Sequence, residues 1–162
     1  MADSQPASVP GIPERFHTVT PRLVVSDGAG AIDFYRAAFG AEQIGERFTG
    51  PSGEVIHAEV RIGDSMVMIT EESGHEGPIG TPESLGGVVT ALMALYWEDV
   101  DAAWQRAVAA GAEVLYPLED QFYGERGGRL RDPFGQQWMM SQHIEDVSPT
   151  EMNARAAALF GS

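Results

Sequence analysis

Apolar positions along the chain alternate between two periods. A short run, Leu23-Val24-Val25, gives way at Asp27 to a stretch in which Ile32, Tyr35 and Phe39 recur at helical spacing. That change predicts a strand running into a helix. Asp27 is the expected N-cap, its carboxylate accepting from the free N–H groups of the first turn. Gly40 suits the left-handed position that ends a helix. The same design returns between Leu95 and Leu115, with Asp99 as N-cap, Ala103, Trp104 and Val108 at helical spacing, and Gly111 at the end. Both copies then read Gly-Ala-Glu into a new strand.

The segments that follow also correspond. Glu54 to Glu72 reads as two strands around a Gly63-Asp64 turn, and Gly127 to His143 as two strands around Asp132-Pro133-Phe134-Gly135. The unit is therefore βαβββ, repeated at about 72 residues from Asp27 to Asp99, too long a period for a solenoid. The pattern predicts an α+β domain over residues 18–145. Module one occupies about 18–72, a Gly/Pro-rich connection 73–89, and module two about 90–145. A loose tail, 1–17, precedes the domain. At the other end, Ser148-Pro149-Thr150-Glu151 combines an N-cap, Pro at N1 and Glu at N3. It starts a helix within 146–162 whose Met152, Ala156 and Leu159 are expected to pack on the body or on a second subunit.

Composition narrows the functions this fold can serve. At 162 residues the chain has enough length for a real core. A net charge of −14 argues against nucleic acid and against an anionic membrane surface. The absence of cysteine excludes disulfides, thiol catalysis and thiolate-bound zinc. All ten basic residues are arginine, which removes Schiff-base chemistry and the lysine-dependent phosphate loop. The first residues lack the basic and apolar regions of a signal peptide, and no run approaches the roughly 20 apolar residues of a membrane span. The expectation is a cytoplasmic protein.

"VSD…FYRAAFG" in the first copy and "EDVDAA…AGAEV…DPFGQQW" in the second, with "HAE" before the Gly63-Asp64 turn, resemble the vicinal oxygen chelate superfamily. The closer likeness is to its glyoxalase/bleomycin-resistance, PhnB-like branch, over roughly Val19 to Glu145. The resemblance implies paired βαβββ modules forming a curled mixed sheet around a cavity. It also implies a homodimer whose pockets often draw on both chains. Enzymes of the superfamily place metal ligands on the first and fourth strands of each module. Those positions fall here at Thr20, Leu92, Met139 and either Val67 or Met68. None offers the imidazole or carboxylate that a hard or borderline cation needs. The expectation is no metal and no cofactor.

By strand alternation Thr20, Arg22 and Val24 face the cavity, as do Leu92, Ala94, Tyr96, Gln137, Met139 and Ser141. Met68 joins them if the fourth strand takes the register that turns it inward. Methionine and aromatic side chains there make either ordinary core or an adaptable apolar pocket. Arg22 is costly on such a face unless it meets a ligand or an internal acid such as Glu59. His57 and Glu59 share one strand face. They read as a general base with its orienting partner, as ligands of a displaced metal together with Glu71, or as a structural pair. Phe122 and Tyr123 sit beside Gly124, Gly127 and Gly128 in a loop suited to a closing rim. His17, His75 and His143 read as exposed or satisfied histidines. Together these residues point to metal-independent binding of a hydrophobic or aromatic small molecule, in the manner of antibiotic-sequestering resistance proteins. The competing reading is a glyoxalase- or dioxygenase-like enzyme using His57 and Glu59.

Overall fold

The computed structural model describes residues 9–73 and 77–161; His75 and the first eight residues of the tail lie outside the described residues. Module one runs β1 (Arg22–Val25), α1 (Gly28–Phe39), β2 (Glu42–Thr49), β3 (Val55–Ile62) and β4 (Ser65–Glu71). Module two repeats the order as β5 (Met93–Tyr96), α2 (Val100–Ala109), β6 (Glu113–Asp120), β7 (Glu125–Arg131) and β8 (Gln137–His143). A last helix, α3, spans Pro149–Phe160. The capping chemistry is as the sequence predicts. The Asp27 carboxylate accepts from the Gly30 N–H and Asp99 from the Ala102 N–H, each at 2.9 Å. Ser148 Oγ accepts from the Glu151 N–H at 3.2 Å.

Each module folds into its own four-stranded mixed sheet, ordered β1-β4-β3-β2 and β5-β8-β7-β6. In both, the first strand pairs in parallel with the fourth and the other neighbours are antiparallel. A parallel pair needs a long crossover between its strands, and the helix supplies it. The two sheets share one core. Leu23, Val25, Ala58, Val60 and Ile69 of the first sheet and Leu130, Trp138 and Met140 of the second bury into one cluster with α1 and α2. Phe39 and Tyr35 of α1 reach across to Trp138 of β8, at 4.7 and 5.3 Å between ring centroids. Each large side chain so buried contributes on the order of 2 kcal/mol. The helices therefore lie between the sheets, and within one chain the opposite face of each sheet points outward.

Asp132 joins the modules. Its carboxylate accepts from the Tyr35 hydroxyl at 2.8 Å and the Trp138 indole N–H at 2.9 Å. The Phe134 and Gln136 amides of its own turn also donate to it, each at 2.9 Å. Burial raises this carboxyl above the usual carboxylate range, against the pull of those donors. The same burial, with Asp132 alongside, raises the Tyr35 phenol well above its ordinary value. Gln136 continues the seam, its side-chain N–H donating to the Val24 carbonyl at 2.9 Å.

One expectation about a helix face is corrected. The buried face of α2 is Val100, Ala103 and Ala107, and Val108 is exposed. Alanines let α2 press closely on the sheet and on α1, and the beta-branched residue one position on turns to solvent. α3 rests on the body through Phe160, which meets Phe122, and through Arg155, which reaches Glu145 at 2.8 Å, while Met152 and Leu159 stay exposed on the single chain. No described helix is long and apolar enough to cross a membrane.

Candidate functional site

The β-ladders fix which side chains share an outer face. On module one a row runs Arg22, Met68, Glu59, Ile44, and a neighbouring rung pairs His57 with Phe48. Met68 is therefore the outward residue of β4, while Val67 is buried in the core. Thr20 precedes β1, and its hydroxyl donates to the His17 carbonyl at 3.3 Å. This face already holds its own ion pairs. Arg15, from the segment before β1, donates to both Glu59 oxygens at 2.8 and 3.2 Å. His57 Nε2 lies 3.3 Å from Glu59 Oε1. The Arg15 guanidinium, and after it His57, draws the Glu59 carboxyl below its ordinary range. Arg22 Nη2 donates to the Ile56 carbonyl at 3.3 Å.

On module two the matching row runs Ala94, Met139, Arg129, Tyr116, with Tyr96 and Ser141 on the next rung and Gln137 opposite Arg131. Tyr96 and Tyr116 are 64% and 60% exposed and Leu92 is 40% exposed, so this face is open to solvent. Tyr116, Gln121, Tyr123, Arg129, Met139 and Ser141 line a hollow of about 200 Å³ on it. The Arg129 guanidinium lies 5.0 Å from the Tyr116 ring centroid. The Tyr96 hydroxyl donates to Glu125 at 2.7 Å, which raises the phenol pKa. Phe122 packs edge-on against Tyr123 and against Phe160 of α3, at 5.2 and 5.9 Å between centroids.

A larger cleft, about 600 Å³, opens between the modules. Trp138, Ile62, Met66, Leu95 and Trp97 form its apolar walls, and Thr20 and Tyr96 also line it. The Trp97 indole N–H is buried without a hydrogen-bond partner. Arg22 lines a third hollow of about 150 Å³ with Met93 and Gln136.

The expected site residues are thus not gathered in one chamber of a single chain. Arg22, His57, Glu59 and Met68 lie on one outer face; Tyr96, Gln137 and Met139 lie on the other, with Tyr123 at its hollow and Phe122 behind Tyr123. The side-chain oxygen of Glu71 accepts from the Gly28 N–H at 2.8 Å, at the start of α1 on the core side. It cannot join His57 and Glu59 around a displaced metal. Among the described residues no three His, Asp or Glu side chains converge as a ligand set. The side chains at the superfamily's ligand positions, Thr20, Met68, Leu92 and Met139, do not fit a hard or borderline cation either. Arg15, Tyr116 and Arg129 also lie on these two faces, and the sequence pattern did not single them out. Arg129 carried one readable signal, its place beside Gly127 and Gly128 on a strand facing the same cavity as Met139.

Comparison with known proteins accords with this architecture. The profile of the Glyoxalase/Bleomycin resistance protein/Dioxygenase superfamily matches residues 15–140. The Mycobacterium bovis protein Mb0911c is 44% identical over 138 residues, 84% of this chain and 90% of that protein. Among solved structures, TioX from Micromonospora sp. ML1 is 27% identical with a TM-score of 0.61, covering 77% of this chain and 97% of its own. The At5g48480 gene product of Arabidopsis thaliana is 28% identical with a TM-score of 0.61, covering 78% and 98%.

Proposed function

This chain belongs to the glyoxalase/bleomycin resistance protein/dioxygenase superfamily, and from that premise we propose that it binds a hydrophobic or aromatic small molecule without a metal ion. The most concrete form is sequestration of an antibiotic in the cytoplasm, of the bleomycin-resistance type. The ligand lies on the outer face of module two, against Met139, Tyr116 and Tyr123. Module one of a second copy, carrying Arg22, His57, Glu59 and Met68, closes over it in a homodimer. A hollow of about 200 Å³ is smaller than the roughly 300–1,000 Å³ of most small-molecule pockets, so a covering surface is needed.

The observation that carries this reading is Met139. It falls where the family resemblance would put a metal ligand, and it shares its hollow with two tyrosines and an arginine. A thioether among aromatic rings adapts to a flat apolar ligand and offers nothing to a hard cation. The test is calorimetric titration and thermal-shift screening of chelator-treated protein against aromatic antibiotics. Stoichiometric binding, a raised melting temperature and recovery of unaltered ligand are expected. Binding that appears only after a divalent ion is added, or ligand recovered as a product, overturns it.

A second location is favoured by size alone, since the cleft between the modules has the volume of a complete pocket. Leu95→Asp would abolish binding there and spare it on the outer face. The 3.3 Å pair of His57 and Glu59 favours the enzyme alternative. That reading requires turnover lost in His57→Ala.

A further inference from the structure

β7 carries three arginines, and the strand across from it treats them differently. Arg131 stands opposite Glu113 and Arg126 opposite Asp120, and each forms an ion pair there. Arg126 gains a second acid in Asp101 at 2.8 Å. Arg129, between them, stands opposite Tyr116. Its side chain forms no hydrogen bond or ion pair among the described residues, and its Nε–H is buried without a partner. Guanidinium does not lose its proton in a protein, so the charge persists whatever the surroundings. In a chain with a net charge of −14, acids are plentiful. Of the acids nearby, Glu113 is committed to Arg131, Asp120 to Arg126 and Glu125 to the Tyr96 hydroxyl, while Glu119, opposite Gly127, forms no ion pair with Arg129.

We propose that the hollow on module two selects aromatic ligands bearing a carboxylate, and that Arg129 is the group that recognises it. This rests on the reading of that face as the small-molecule site and specifies the chemistry it takes. The ring system lies against Tyr116, Tyr123 and Met139, and the carboxylate meets the guanidinium in a charge-assisted pair. The Tyr116 ring beneath the cation holds the guanidinium plane without neutralising it. Selectivity against uncharged analogues follows, because they leave the cation unpaired and displace its water.

The test compares two probes that share one ring system, 2-naphthoate and 2-naphthamide, by calorimetric titration of the full chain at pH 7. The naphthoate is expected to bind about tenfold more tightly or better, and added salt should weaken it while leaving the amide unchanged. Arg129→Gln should bind both probes alike; Arg129→Lys should keep part of the preference. Equal binding of both probes by the unaltered protein overturns this inference alone and leaves the aromatic site standing. Binding of neither overturns both. A preference that survives Arg129→Gln, with a changed oligomeric state on gel filtration, assigns the arginine to a contact between copies and also overturns it. The salt dependence needs no variant, so a poorly folded substitution does not shelter the inference.

Discussion

On the outer face of module one the row runs Arg22, Met68, Glu59, Ile44; on module two it runs Ala94, Met139, Arg129, Tyr116. The methionine is common to both. Its neighbour on the module's third strand is an acid, Glu59, in one and a base, Arg129, in the other. Glu59 is clamped by Arg15 and touched by His57, so the first face satisfies its own charge. Arg129 has a tyrosine where its neighbours on β7 have acids, so the second face keeps a charge open. Two copies of one topology thus differ in occupancy: the ladder sets where a side chain points, and the neighbour's identity sets whether it is free for a ligand.

The most damaging substitution separates the modules that carry the two faces. Asp132→Ala removes the acceptor shared by Tyr35 of module one and Trp138 of module two. Two buried donors are left unpaired, and a loss of about 3 kcal/mol is expected in urea unfolding. Asp132→Asn should do nearly as badly, because an amide nitrogen would face two donors. A loss below about 1 kcal/mol for either would mean that the seam is not what aligns the sheets. Next in size is Gly128→Ala. An added Cβ would sit 2.6 Å from Trp104 on the core side, while one on Gly127 would meet Ser141 Oγ at 3.1 Å and the Met140 carbonyl at 3.3 Å on the outer side. About 2 kcal/mol is expected for Gly128→Ala and clearly less for Gly127→Ala. The reverse order would contradict the assignment of inner and outer faces.

Much of this architecture was legible in the chain. The capping Asp27, Asp99 and Ser148, the Gly63-Asp64 and Asp132-to-Gly135 turns and the repeat itself rest on local chemistry that acts within a few residues. Alternation also placed Met139 on the outer face. The direction in which the sheets face was not legible, because it depends on Tyr35 and Phe39 reaching Trp138, about 100 residues away, and no period encodes that contact. Arg129 was missed for a related reason. A register shift between Val114 and Tyr116 brings Tyr116 opposite Arg129, where unbroken pairing would have put Leu115. A bulge of this kind moves one residue across the ladder and leaves little trace in the residue pattern. Arg15 lay in a stretch read as a loose tail, and only the fold shows its carboxylate partner.

The same substitution placed on both faces separates their shares in binding. Met139→Asp is expected to weaken an aromatic ligand by about tenfold or more, close to 1.4 kcal/mol, since it polarises the hollow and gives Arg129 an internal acid. Met68→Asp adds a charge beside Glu59 on the face that is already ion-paired, and a loss within about threefold is expected. Both sites are partly open to solvent, so stability should shift by no more than about 0.5 kcal/mol in each. Calorimetric titration of the two variants in parallel decides the matter. Equal losses would mean that module one's face holds as much of the ligand as module two's.

The smallest effect concerns what keeps the first face closed on itself. The Arg15 guanidinium holds the folded Glu59 carboxyl below its ordinary value of 4.5. A carboxyl depressed in the folded state adds stability that is present above the unfolded value and lost as pH falls through the folded one. Arg15 is half exposed, so solvent and salt screen most of the gain. Arg15→Ala should therefore lower the melting temperature by only ~1–2 °C at pH 7. The difference should shrink toward zero as pH drops below the carboxylate range, and 0.5 M salt should diminish it at neutral pH. Melting curves from pH 7 to pH 3 measure both trends. Parallel curves would show that Arg15 does not hold Glu59 in solution. The acid would then stand as open as Arg129, and the two faces would differ in the sign of an available charge, a pairing suited to module one of one copy meeting module two of the next.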